Sequence, residues 1–73
     1  MEIRVLRYFL ETAREENMTR AAERLFISQP TMSKQLKELE NELGVKLFTR
    51  SNYNVKLTEA GMLLREKIGR AHV

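Results

Sequence analysis

The run Ser28-Gln29-Pro30-Thr31-Met32-Ser33-Lys34 gathers side chains suited to hydrogen bonding with base edges and phosphates. Ser28, Thr31 and Ser33 offer hydroxyls, and the Gln29 amide can both donate to and accept from an adenine. The Lys34 ammonium can reach guanine acceptors or a phosphate, and Pro30 can press on a thymine methyl. These residues stand where a helix should begin. Ser28 is a good N-cap, and Pro30 is tolerated in a first turn because its missing N–H would be unpaired there anyway. The unpaired backbone N–H groups and the positive end of the helix dipole favour a phosphate oxygen at that point. By helical angle Gln29 leans toward the core side, so its access depends on its place at the free tip. Each residue alone is ordinary at a helix start. Their ordered set, between a helix carrying Ala21-Ala22 and a stop at Gly44, is not.

Other chemistries find little support. The chain has no Cys and a single His, which removes a disulfide framework and a Cys/His zinc site. His72 has no Cys or Asp to orient it. Glu15-Glu16 and the series Glu38, Glu40, Glu42 point in different directions around their helices. Without a Gly-rich phosphate loop or a nucleophile elbow, no catalytic residue or metal ligand is assigned and no enzyme is expected. The opening Met1-Glu2-Ile3-Arg4-Val5 is unlike a signal peptide, and no apolar run approaches the roughly 18 residues of a membrane span. A soluble cytoplasmic domain associated with the nucleoid, with no membrane partner, is the expectation.

The elements that must position the run follow from apolar spacing. Residues 2–15 form a first helix with Ile3, Leu6, Phe9, Leu10 and Ala13 on one row and Met1, Val5 and Tyr8 on a second. Asn17 caps a short helix over 18–25, and Phe26-Ile27-Ser28 is a connection that joins two helices at a steep angle. The third helix spans 29–43 with Met32, Leu36, Leu39 and Leu43 as its stripe; Ile27 and Met32 form a staple at its start. Its opposite side shows Pro30, Lys34, Lys37 and Asn41, with Ser33 beside them. Residues 47–50 and 55–57 read as two strands around the polar turn Ser51-Asn52-Tyr53-Asn54. Thr58 caps a fourth helix with Ala60, Leu64, Ile68 and Ala71 inward and Leu57 with Met62 as a staple. Gly61 and Gly69 should weaken it by about 1 kcal/mol each relative to Ala. That helix meets no Gly or Pro stop before Val73, as expected of one continuing in a longer chain.

Charge is distributed unevenly. Of 13 basic and 10 acidic residues, giving +3, residues 1–27 hold five Arg against five Glu. Residues 28–57 carry Lys34, Lys37, Lys46, Arg50 and Lys56 against Glu38, Glu40 and Glu42. Along the third helix both Lys precede all three Glu, the reverse of what the helix dipole prefers. This order suggests that something outside the helix wants positive charge near its N-terminus, unless Lys34 and Glu38 simply pair at i,i+4.

Helix, short helix, tight turn, longer helix, hairpin and helix together describe a mainly α winged helix-turn-helix: a three-helix core, a two-stranded wing and a C-terminal linker helix. The run from Thr19-Arg20-Ala21-Ala22-Glu23-Arg24-Leu25 through Ser28-Gln29-Pro30 to Glu40 closely resembles the helix-turn-helix of LysR-type transcriptional regulators of bacteria. Glu42-Leu43-Gly44-Val45-Lys46-Leu47-Phe48-Thr49-Arg50 and Leu57-Thr58-Glu59-Ala60-Gly61 continue the match through the wing into the linker helix. The resemblance implies a DNA-binding domain over 1–57 and the start of a dimerisation helix over 58–73. It also implies an effector-binding domain outside these residues, which would take the small-molecule effector; no cofactor is expected in this segment.

The resemblance assigns base reading to Gln29, Pro30, Ser33 and Lys34, and backbone contacts to Thr19, Thr31 and Arg50. Ser28, Lys37, Tyr53, Asn54 and Lys56 join the phosphate or backbone group on their chemistry and position. Lys34 is often Arg in that family, and Lys keeps the charge without the planar fork. Tyr53 and Asn54 stand where basic residues are common at the wing tip, so Tyr53 is expected against sugar or phosphate. The wing over 47–57 would lie at the backbone or minor groove. The fourth helix implies a homodimer on a promoter dyad, and a tetramer at full length, with Val5, Tyr8, Leu63, Leu64 and Ile68 as interface candidates. A helical protein-interaction module using the basic face and wing to bind an acidic partner is the alternative.

Overall fold

The computed structural model describes residues 2–51 and 54–71, with side chains as far as Gly69. Helix α1 (Ile3–Glu15) buries Val5, Tyr8, Phe9, Thr12 and Ala13, while Ile3 is 83% exposed. The buried arc therefore lies between the two expected rows, with Thr12 near its centre at about 100° per residue. A threonine fits there because its hydroxyl donates to the Tyr8 carbonyl at 2.8 Å, four residues back, and contacts Met32 Sδ at 3.6 Å. Leu6 and Leu10 are half-buried and pack against the core from its edge.

Helix α2 (Met18–Leu25) starts as expected: the Asn17 side chain accepts from the Arg20 N–H at 2.8 Å. Ala21 and Ala22 are buried and let neighbouring helices approach closely. Its end is a Schellman-like turn in which the Phe26 N–H donates to the Glu23 carbonyl at 3.2 Å and the Ile27 N–H to that of Ala22 at 3.1 Å. Phe26 occupies the left-handed region usually left to Gly, with φ 58°, a cost of roughly 1–2 kcal/mol.

Helix α3 (Gln29–Leu43) is capped by Ser28, whose hydroxyl oxygen accepts from the Thr31 N–H at 3.3 Å, and ends at Gly44 with φ 73°. Met32, Leu36 and Leu39 are buried, but Leu43, expected on the same stripe, is 38% exposed. The last turn projects past the core together with exposed Gly44, Val45 and Lys46. The last buried side chain of α3 is instead Glu40, whose Oε2 accepts from the Leu47 N–H at 2.7 Å and the Phe48 N–H at 3.3 Å. This acid thus has a structural reason to sit late in the helix despite the dipole.

The wing is a two-stranded antiparallel sheet of β1 (Phe48–Arg50) and β2 (Val55–Leu57), pairing Phe48 with Leu57, Thr49 with Lys56 and Arg50 with Val55. Leu47, expected in the first strand, lies just outside it: its N–H is held by Glu40 and its carbonyl accepts from the Thr58 N–H at 2.9 Å, the residue that caps the next helix. The Phe48 ring packs tilted against Phe9 with centroids 5.5 Å apart. The Val55 N–H donates to the Glu16 carbonyl at 3.0 Å, docking the hairpin on the corner between α1 and α2.

Helix α4 (Glu59–Ala71) begins under Thr58, whose hydroxyl accepts from the Gly61 N–H at 3.1 Å and donates to the Lys46 carbonyl at 2.6 Å. Gly61 is no weak point. A Cβ there would stand 2.3 Å from the Leu47 carbonyl oxygen and 2.7 Å from Leu57 Cδ2, so its lack of a side chain lets α4 meet the wing. Ile68 is buried and Leu64 half-buried, whereas Met62 and Leu63 are 52% and 54% exposed.

Candidate nucleic-acid interface

The start of α2, the start of α3 and the wing converge on one shallow hollow whose lining includes Asn17, Thr19, Gln29, Arg50, Ser51 and Asn54. Local sequence explains each placement. The Asn17 cap turns Thr19 outward, and the Ser28 cap and Pro30 aim the first turn of α3 at solvent. The Val55–Glu16 bond swings the hairpin so that Arg50 comes over α3. Arg50 donates from Nη1 to Ser33 Oγ at 3.4 Å, a long contact to a neutral group.

Thr19, Ser28, Gln29, Pro30, Thr31, Lys34, Lys37, Arg50 and Asn54 are exposed, and Ser33 is half-buried. Gln29 is exposed at the tip of α3, where its inward lean on the helix does not bury it. The Ser28 hydroxyl donates to Thr31 Oγ1 at 2.8 Å, so these two neighbours share one local arrangement. Lys56 is exposed but pairs with Thr49, one residue out of phase with Arg50, and so projects from the other face of the hairpin. Tyr53 lies outside the described residues.

Charge is handled differently on the two sides of the molecule. Arg24 Nε meets Glu11 at 3.0 Å and Glu15 at 3.4 Å, tying α2 to α1, and Arg14 adds further pairs to the same acids. Among the described residues no ion pair engages Lys34, Lys37, Lys46 or Arg50, and Lys34 does not pair with Glu38. The Glu40 carboxylate beneath them is occupied by backbone N–H groups. The face bearing the start of α3 and the wing thus carries cations that no ion pair engages.

Two further residues border this surface without a signal in the apolar spacing. Glu40 lies four residues beyond Leu36 on the same side of α3 and is buried. Lys46 follows a helix stop and carried no periodic signal, yet it lines a second hollow with Lys37 and Arg50. Of the interface candidates, Val5, Tyr8 and Ile68 are buried in the chain's own core. Leu64 is half-buried, and Leu63 is the candidate with free apolar surface. Among the described residues, no group of three or more His, Cys, Asp or Glu is placed to hold a metal, and no helix is long and apolar enough to cross a membrane.

This architecture, with a capped helix pair presenting polar and cationic residues beside a hairpin, is a winged helix-turn-helix. The family of bacterial regulatory helix-turn-helix proteins of the lysR type matches residues 3–62, and the chain belongs to it. It is 57% identical over 61 residues to the HTH-type transcriptional regulator BudR of Klebsiella aerogenes, a match covering 84% of this chain and 43% of BudR. It is 49% identical over 67 residues to the probable cat1 operon transcriptional activator of Acinetobacter lwoffii, covering 92% of this chain and 22% of that protein. The chain therefore spans less than half the length of these relatives. Among solved structures, the CbnR DBD–DNA complex superposes with a TM-score of 0.92 at 44% identity, over 97% of this chain and 82% of that one. The BenM DBD with catB site 1 DNA gives 0.91 at 39% identity, over 97% and 79%.

Proposed function

We propose that this chain is the DNA-reading part of a bacterial transcriptional regulator that binds double-stranded DNA sequence-specifically. The observation that carries the reading is the convergence of Thr19, Gln29, Arg50 and Asn54 on one hollow beside the unpaired cations Lys34 and Lys37. The DNA present in the CbnR and BenM complexes supports it. In this reading α3 enters the major groove by its N-terminal turn. Gln29 and Lys34 bond base edges, Pro30 meets a thymine methyl, and Ser33 becomes available as Arg50 exchanges its long hydroxyl contact for a phosphate. Thr19, Ser28, Thr31, Lys37 and Asn54 hold the backbone, with Tyr53 and Lys56 beside it along the wing.

The regulator acts as a homodimer through α4, with Leu63 at the contact, on a dyad whose half-sites lie one helical turn or a multiple apart. At full length it forms a tetramer and takes its small-molecule effector on a domain outside these residues, in the cytoplasm. An amide chemical-shift titration with a mixed-sequence duplex at low salt tests the reading. Shifts concentrated at residues 28–37 and 50–56 that fade as salt is added are expected. An unmoved spectrum at millimolar duplex removes DNA binding from this chain and turns attention to an acidic protein partner.

A further inference from the structure

We infer that the hollow lined by Lys37, Lys46 and Arg50 is a second phosphodiester-binding site, in which Lys46 holds the DNA backbone beyond the reach of the base-reading turn. The inference rests on the DNA-binding reading and extends it to a residue and a surface that the helix-turn-helix pattern does not mark. Glu40 and Phe48 complete the lining. Glu40 is buried, and its Oε2 is engaged by the Leu47 and Phe48 N–H groups, so it sits beneath the cations without forming an ion pair with them. Lys37, Lys46 and Arg50 are all exposed.

Three features make this a site for an anion on DNA. Lys37 lies at i+7 from Pro30 and i+3 from Lys34, so the hollow opens on the side of α3 that carries the base-reading residues. Arg50 borders both this hollow and the one shared by Thr19 and Gln29, so the two adjoin a single residue. The peptide unit that joins Lys46 to Leu47 is also held on both sides. Its carbonyl accepts from Thr58 Oγ1 at 2.6 Å, and the next N–H, that of Leu47, is bound by Glu40. A cation on an anchored backbone loses less freedom on meeting a phosphate than one on a loose loop.

The test compares wild type with Lys46→Ala, Lys46→Arg and Arg7→Ala on two duplexes, one selected by this chain from random DNA and one shuffled. Arg7 is exposed on α1, so its loss changes net charge equally while leaving the hollow intact. The slope of log affinity against log salt should fall by about 0.9 for Lys46→Ala on both duplexes. Wild type should therefore lose about 3.5-fold more affinity than the variant between 50 and 200 mM salt. Lys46→Arg and Arg7→Ala should keep the wild-type slope, and the ratio between the two duplexes should not change. In a scan of single methylphosphonate substitutions, wild type should lose affinity at one position where Lys46→Ala does not. An unchanged slope in Lys46→Ala, or an equal fall in Arg7→Ala, overturns this site while DNA binding stands. Failure of the wild-type chain to bind either duplex overturns both.

Discussion

Gln29 illustrates what a side chain gains from its place at the end of a helix. An interior residue at the same angle would turn toward the core, yet here the amide is exposed and shares a hollow with Thr19 and Arg50. If it bonds adenine through both amide atoms, Gln29→Ala should reduce discrimination between a selected and a shuffled duplex by about 1–3 kcal/mol. The salt slope should stay unchanged, because an amide displaces no counterion. Lys34→Ala should instead lower affinity on both duplexes and flatten the slope by about one unit if it meets a phosphate. Competition binding at several salt concentrations separates the two outcomes. Gly61 makes a different kind of residue-level argument. A methyl at this position meets the Leu47 backbone, which cannot swing aside as a side-chain tip can. Gly61→Ala should destabilise the domain by about 1–3 kcal/mol through overpacking, despite the better helix propensity of Ala. A shift in the urea midpoint checks it.

At the scale of elements, the helices were legible because caps and apolar spacing agreed. Asn17, Ser28, Gly44 and Thr58 all perform the expected terminal roles. What spacing could not reveal were the polar residues of the interior. Thr12 was invisible because it satisfies its hydroxyl within its own helix, and Glu40 because its partners lie seven and eight residues away on a loop and strand not yet formed. The wheel position of Val5 and Tyr8 was seen, but a row of apolar residues does not say whether its own chain or a second one covers it. Glu40 joins α3 to the wing, so its loss should be felt at the hairpin. Glu40→Ala strands two backbone donors and should cost about 1–3 kcal/mol of stability. Amide exchange at Leu47 and Phe48 should accelerate more than exchange at Ala21 or Ala22. Uniform acceleration across the domain would show that the carboxylate has no particular hold on the wing.

For the whole molecule, the separation of its surfaces matters most. Arg14 of α1 and Arg24 of α2 are tied to Glu11 and Glu15, while among the described residues no ion pair engages Lys34, Lys37, Lys46 or Arg50. Cations free of ion pairs thus border the start of α3 and the wing, and α4 exposes apolar Met62 and Leu63. A second copy docking at Leu63 would leave both recognition faces free for successive turns of the major groove. Two half-sites joined in this way bind with the advantage of effective concentration, which one domain on one half-site lacks. Leu63→Gln should keep the urea midpoint, because the side chain is half in solvent, and should keep affinity for a single half-site. On the full dyad it should reduce affinity toward the half-site value. Ile68→Ala offers the contrast: its side chain is buried within the chain, so this truncation should lower the stability of the isolated domain by about 2–5 kcal/mol. Binding of half-site and dyad duplexes by both variants, with the urea midpoints measured alongside, separates the surface that joins two copies from the core that holds one together. Equal affinity of Leu63→Gln and wild type for the dyad would remove Leu63 from the dimer contact.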